Sequence, residues 1–159
     1  MRRHFAFLEN ECGMAFRGTR SVGGDPRDSG LVATFSDDKV RVRIGWSDCE
    51  GALMILIRLE DDRLPRQQRS VYFEPFVEFI TGGSIAPVIP HTYPGMSAAA
   101  IGTATRRRRA LFRRGPNDVL AVLAERLRRY LGDIRTLPAG TLAQFHDWYA
   151  KHSGHEGRK

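Results

Sequence analysis

The sequence predicts an α+β fold in a single domain spanning residues 1–159. It comprises an N-terminal helix, an antiparallel meander of three to four strands, and three or four C-terminal helices packed on one face of the sheet. Three observations predict this. Hydrophobic period two is confined to the first third of the chain, and the segments that carry it are joined by turns too short for crossovers. Helical period then takes over and persists to the end. At 159 residues, 42% hydrophobic and 27% charged, the chain can bury one core without disulfides or a metal.

Phe5, Leu8 and Cys12 recur at helical spacing before Gly13, so residues 2–12 read as a short helix with a glycine stop. "AFRGTRSV" is a weaker strand. "GGDPRDSG" follows it and is rich in turn formers. "GLVATF" and "KVRVRIGW" are two strands joined through "SDD", a hairpin-type turn. In the second, Val40, Val42, Ile44 and Trp46 face one way, and Lys39, Arg41, Arg43 and Gly45 form a wet, basic opposite face. "ALMILIRL" is apolar on both faces, which places it centrally in the sheet.

"SVYFEPFVEFITGG" returns to helical spacing through Phe73, Phe76, Val77 and Ile80, with Pro75 in the first turn and Gly82 or Gly83 ending the helix. From Phe79 to Thr105, 27 residues contain no Asp, Glu, Lys or Arg. The middle of this stretch, about 83–97, reads as one long loop. Structureless connections of that length are uncommon and usually functional or disordered; the lack of charge argues against a solvated linker, so Ile85, Val88, Ile89, Tyr93 and Met96 should lie on the body or on a partner.

Residues 97–114 fit one helix capped by Ser97. At about 100° per residue, Arg106, Arg107, Arg109, Arg113 and Arg114 share a wide face, opposite Ile101, Ala104, Leu111 and Phe112. Arg108 alone falls on the apolar side. In "NDVLAVLAERLRRYLGDI", Val119, Leu120, Leu123, Leu127, Tyr130, Leu131 and Ile134 form the most regular apolar stripe in the chain, with Asn117 as the expected cap. "TLAQ" fits a capping box for a last helix with Leu142, Phe145, Trp148 and Tyr149 inward. Residues 153–159 read as a frayed tail.

The net charge of +7 is unevenly placed. Residues 1–105 carry 12 basic and 13 acidic side chains, and residues 106–159 carry 13 and 5. An excess of this kind suits a polyanionic partner, although arginine-rich composition also produces solvated cationic faces. Two cysteines outside any CxxC or Cys/His cluster imply reduced thiols in a cytoplasmic protein. No apolar run is long enough to span a membrane, and Glu9 and Glu11 interrupt any signal-peptide core.

Motifs for catalysis or metal binding do not emerge. Cys49 lies between Asp48 and Glu50, where a thiolate is disfavoured. His4, His91, His146, His152 and His155 match no zinc spacing. Glu60, Asp61 and Asp62 lack a calcium-loop pattern. "SVGGDP" and "TGGS" match no nucleotide-binding loop. The expectation is therefore a non-enzymatic protein with no catalytic residues, no metal and no cofactor.

"FAFLENECGMAF", "KVRVRIGW" followed by "ALMILIRL", "YFEPFVEFI" and "DVLAVLAERLRRYLGDI" give the chain a layout that resembles small bacterial α+β proteins of the immunity-like type, encoded near polymorphic toxins. The resemblance implies a cytoplasmic protein-interaction role with a protein partner such as a toxin, and carries over no functional residues. The uncharged loop and the RRRR run depart from that pattern. Two expectations follow, the first leading and the second its alternative. One is binding of a protein partner through Ile89, His91, Tyr93 and Met96. The other is binding of nucleic acid through Arg106, Arg107, Arg109, Arg113 and Arg114.

Overall fold

The computed structural model describes residues 1–22, 30–47, 52–60, 65, 68–90, 96–138 and 140–155. A 3-10 turn, Arg2–Phe5, leads into a one-turn helix α1, Phe7–Asn10. Five strands follow: β1 Ala15–Val22, β2 Gly30–Ser36, β3 Val40–Ser47, β4 Ala52–Leu59 and β5 Ser70–Tyr72. Four helices complete the chain: α2 Phe73–Ile80, α3 Ala98–Arg114, α4 Pro116–Arg135 and α5 Thr141–His155.

The sheet is an antiparallel meander in the order β1-β2-β3-β4-β5, as the short connections require. It has one strand more than the expected three to four. β5 is only three residues long and precedes α2 directly, so its period-two signal is hidden by the helical pattern that starts at Phe73. Register pairs Ala33 with Ile44 and Ile44 with Ile55, and Phe35 with Val42 and Val42 with Ile57. These side chains all lie on the covered face and are buried. The open face carries Val32, Thr34, Ser36, Arg41, Arg43, Met54, Leu56, Arg58 and Tyr72. Ser36 is the one buried polar residue there.

The β2–β3 turn is closed by Asp37, whose Oδ1 accepts from the Lys39 and Val40 amides at 2.8 and 2.7 Å. This is the aspartate turn chemistry that "SDD" announces. In β1 a bulge between Phe16 and Gly18 shifts the register. Arg17 and Arg20, three residues apart, would face opposite sides of a regular strand. The extra residue brings both to the open face.

All seven expected stripe residues of α4 are buried, and the sheet's covered face and α2 complete the same core. Phe145 on α5 meets Phe76 and Phe79 on α2 with ring centroids 5.1 and 5.7 Å apart. Trp148 and Tyr149 are half-buried beside them. α2 ends as the glycines predict. Gly82, at φ +60°, donates to the Phe79 carbonyl and Gly83 to that of Glu78, so both bonds of a Schellman stop are present.

Several boundaries differ from the sequence reading. The expected helix 2–12 is a 3-10 turn plus one α-turn, ending earlier. α4 starts one residue before Asn117, with Gly115 at the cap and Pro116 at the first helical position. Asn117 instead meets the His4 ring through Oδ1. α5 begins at Thr141, and the Gly140 carbonyl accepts from Gln144, so Thr141 is inside the helix and the capping box does not form. α5 continues to His155, which removes part of the expected tail; residues 156–159 lie outside the described residues. Much of "GGDPRDSG", together with Asp48, Cys49, Glu50, Asp61 and Asp62, lies outside them too.

Candidate anion-binding surfaces

α3 forms as its sequence indicates. Ser97 Oγ accepts from the Ala100 amide at 3.2 Å, and 17 residues follow without an acidic side chain. Ala104 and Phe112 are buried, and Leu111 packs partly against the core. Phe112 meets Trp46 edge-to-face at 4.9 Å, which seats the C-terminal half of the helix on the end of β3. Ile101, expected inward, is 42% exposed. It lies just over three turns before Phe112, away from the contact with Trp46 that seats the helix.

Arg106, Arg107, Arg109 and Arg113 are exposed, as the helical wheel places them. The Arg114 side chain lies outside the described residues. Arg106 Nη2 donates to Thr103 Oγ1 at 3.0 Å. Arg108 is half-buried on the inner side, where its Nη2 donates to Thr105 Oγ1 at 3.3 Å and its Nε has no hydrogen-bond partner among the described residues. The outlier of the wheel is thus absorbed by a hydroxyl one turn earlier. Among the described residues, no ion pair engages Arg106, Arg107 or Arg113.

Several arginines elsewhere are placed differently. Arg2 pairs with Glu9, Arg41 and Arg58 with Glu60, Arg126 with Glu74, Arg128 with Glu11 and Glu125, and Arg135 with Asp37. Arg2 and Arg128 also cover the Phe16 and Phe7 rings.

The uncharged loop turns inward over its described first half. Ile89 is 7% exposed, and Ile85 and Val88 pack against the core. The Val88 amide donates to Glu74 Oε2, and Arg126 Nη1 donates to the Ala86 carbonyl at 2.8 Å. Burial raises the Glu74 carboxyl above its ordinary range, against the opposing pull of the Val88 amide, Arg126 and the Ile89 amide. Of the residues expected to meet a protein partner, Ile89 is therefore covered by the protein's own core. Met96 is half-buried, and His91 and Tyr93 lie outside the described residues.

A second basic surface was only half legible in the sequence. On the open face of the sheet, Arg17, Arg20, Arg41 and Arg43 surround a concavity of about 500 Å³ floored by Val32, Thr34 and Ser36. Arg41 and Arg43 belong to the wet face read from "KVRVRIGW". Arg17 and Arg20 join them only through the β1 bulge. The relevant signal was Gly18 inside a strand pattern, a common mark of a bulge.

The remaining titratable groups do not converge. His146 Nε2 lies 3.1 Å from the Gln68 carbonyl and His152 Nδ1 3.0 Å from that of Trp148. Cys12 is half-buried, and burial raises its thiol. Among the described residues, no three His, Cys, Asp or Glu side chains could hold a metal ion together, and no helix is long and apolar enough to cross a membrane. No protein-family model, curated protein or solved structure matches the chain.

Proposed function

We propose that this chain is a non-enzymatic, cytoplasmic binding module that grips a nucleic-acid backbone with the outer face of α3. One observation carries the reading. Arg2, Arg41, Arg58, Arg126, Arg128 and Arg135 are matched to carboxylates, whereas Arg106, Arg107 and Arg113 stand together with no carboxylate among the described residues, on a helix with no acid. Unmatched guanidiniums on a rigid element suit phosphate oxygens, which they bind through paired N–H donors. Arg106 and Arg113 are two turns apart, about 10 Å along the helix. The outer face offers no aromatic ring for base stacking, so recognition is of phosphate and independent of sequence.

The test is binding of labelled duplex DNA and RNA at low and high salt. Affinity that falls steeply with salt, and collapses when Arg106, Arg107 and Arg113 are changed together to glutamine, supports the reading. Affinity that is absent, or indifferent to salt and to the triple change, refutes it.

The protein-partner reading keeps one supporting observation. Ile101 is an exposed large apolar side chain on α3, just after Met96. An immunity-like role with a toxin partner would use it. A toxin gene beside this one would support that role. The inward turn of Ile85, Val88 and Ile89 weighs against it, because it withdraws apolar surface that such a partner would need.

A further inference from the structure

We infer that the open face of the sheet is a second, separate site, which takes the phosphate group of a small molecule between Arg20 and Arg43. The concavity of about 500 Å³ there is of ligand size. β2 runs through its floor between the strands that carry the arginines. Strands two apart in a sheet are about 9.6 Å from each other, close enough for side chains from β1 and β3 to meet over Thr34.

The four arginines are not equivalent. Arg17 Nε donates to Ser36 Oγ at 2.8 Å, which fixes its side chain along the floor. Arg41 is held by Glu60 at 3.0 Å. Arg20 and Arg43 have no hydrogen-bond or ion-pair partner among the described residues. The site therefore has two placed guanidiniums and two with no partner among the described residues.

The described carboxylates nearby are already engaged. Asp37, on the rim, accepts two backbone amides and Arg135. Glu60 is shared between Arg41 and Arg58. The hydroxyls of Thr34 and Ser36 add polar groups to the floor beside Arg20 and Arg43. Gly18 has no side chain, and the space where one would stand is empty within 4 Å, so a ligand can approach the backbone there.

Forked donors over hydroxyls match a phosphate dianion. Among the described residues no aromatic ring lines the concavity, so a stacked base of single-stranded nucleic acid is not what it is shaped to hold. This site does not depend on α3, which is seated by Phe112 on Trp46, on the covered side of the sheet.

Calorimetric titration of the full chain with inorganic phosphate and with inorganic pyrophosphate tests the inference. Pyrophosphate should bind, and the double variant Arg20→Gln/Arg43→Gln should weaken it by at least about tenfold, since hydrogen bonds to charged groups are among the stronger ones. Thr34→Glu, which plants a carboxylate between the two arginines, should abolish binding. The α3 variant Arg106→Gln/Arg107→Gln/Arg113→Gln should bind pyrophosphate normally. The inference fails if neither anion binds at millimolar concentration, if the Arg20/Arg43 variant binds as wild type does, or if the α3 variant loses binding equally.

Discussion

Arg135 on α4 donates to the carboxylate of Asp37 in the β2–β3 turn, joining residues 98 positions apart. The same guanidinium nitrogen donates to the Cys12 carbonyl at 3.1 Å. Asp37 thus closes its own turn with one oxygen and fastens the last helical turn of α4 to the sheet with the other. Asp37→Ala removes both functions and should cost about 1–3 kcal/mol, since the pair is mostly shielded and the lost bonds are charge-assisted. Asp37→Asn, which can still close the turn, should cost less. Urea unfolding gives the comparison; equal midpoints for wild type and Asp37→Ala would show that the tie is dispensable.

Glu74 should make stability depend on pH. Its folded-state pKa lies above the ordinary value of 4.5, because burial disfavours the charged form. The native state therefore holds the proton more tightly than the unfolded chain. The stability this contributes is fully present below pH 4.5 and is lost as pH rises through the folded value. Glu74→Gln cannot titrate. Plotted against pH, wild-type stability should decline relative to the variant from pH 4.5 upward. Parallel curves in urea titrations would contradict the assignment.

On α3, each arginine that meets a phosphate releases a counterion. Replacing Arg106, Arg107 and Arg113 by glutamine should reduce the slope of log K against log salt by about 3. The circular dichroism spectrum should stay unchanged, because all three side chains are exposed. A slope that stays the same would move the contact to another surface.

The Trp46–Phe112 contact should control the seating of α3. Phe112→Ala removes the ring that meets Trp46 edge-to-face. It should cost about 3 kcal/mol, toward the low end for loss of a buried aromatic ring. The loss should be local. Amide exchange should accelerate in α3 and remain slow in α4, and Trp46 emission should shift to the red. Uniform acceleration in both helices would mean that they unfold as one unit.

The parts of the fold that were legible are those where one local rule acts alone. The α4 stripe from Val119 to Ile134 is regular over more than four turns, and the strands β2 to β4 alternate or are uniformly apolar. β5 was not legible because three residues carry too little pattern ahead of Phe73. The caps at Asn117 and Thr141 were misplaced because Gly115 and Gly140 supply the turn without a side chain. The α3 arginine face followed from spacing alone. The sheet-face site did not, since Arg17 and Arg20 share a side only through a register shift that pairwise strand geometry creates. Spacing alone leaves Ile89 available to a partner, whereas Glu74 and Arg126, 15 and 37 residues away, hold the loop down.

The meander has a kinetic consequence. Each strand pairs with the one made just before it, so the sheet can form progressively as the chain is synthesised. Its cover cannot. The buried stripe of α4 lies some 60 to 75 residues beyond the end of β4, and it also receives the N-terminal Phe5 and Leu8 in the same core. At roughly 5–20 residues per second, the apolar face of a finished sheet would wait several seconds for that helix. During that interval Val42, Ile44 and Ile55 form a sticky, unroofed surface. Ribosome-associated chaperones would meet this protein there, and slowing translation ahead of Val119 should lower its yield by aggregation.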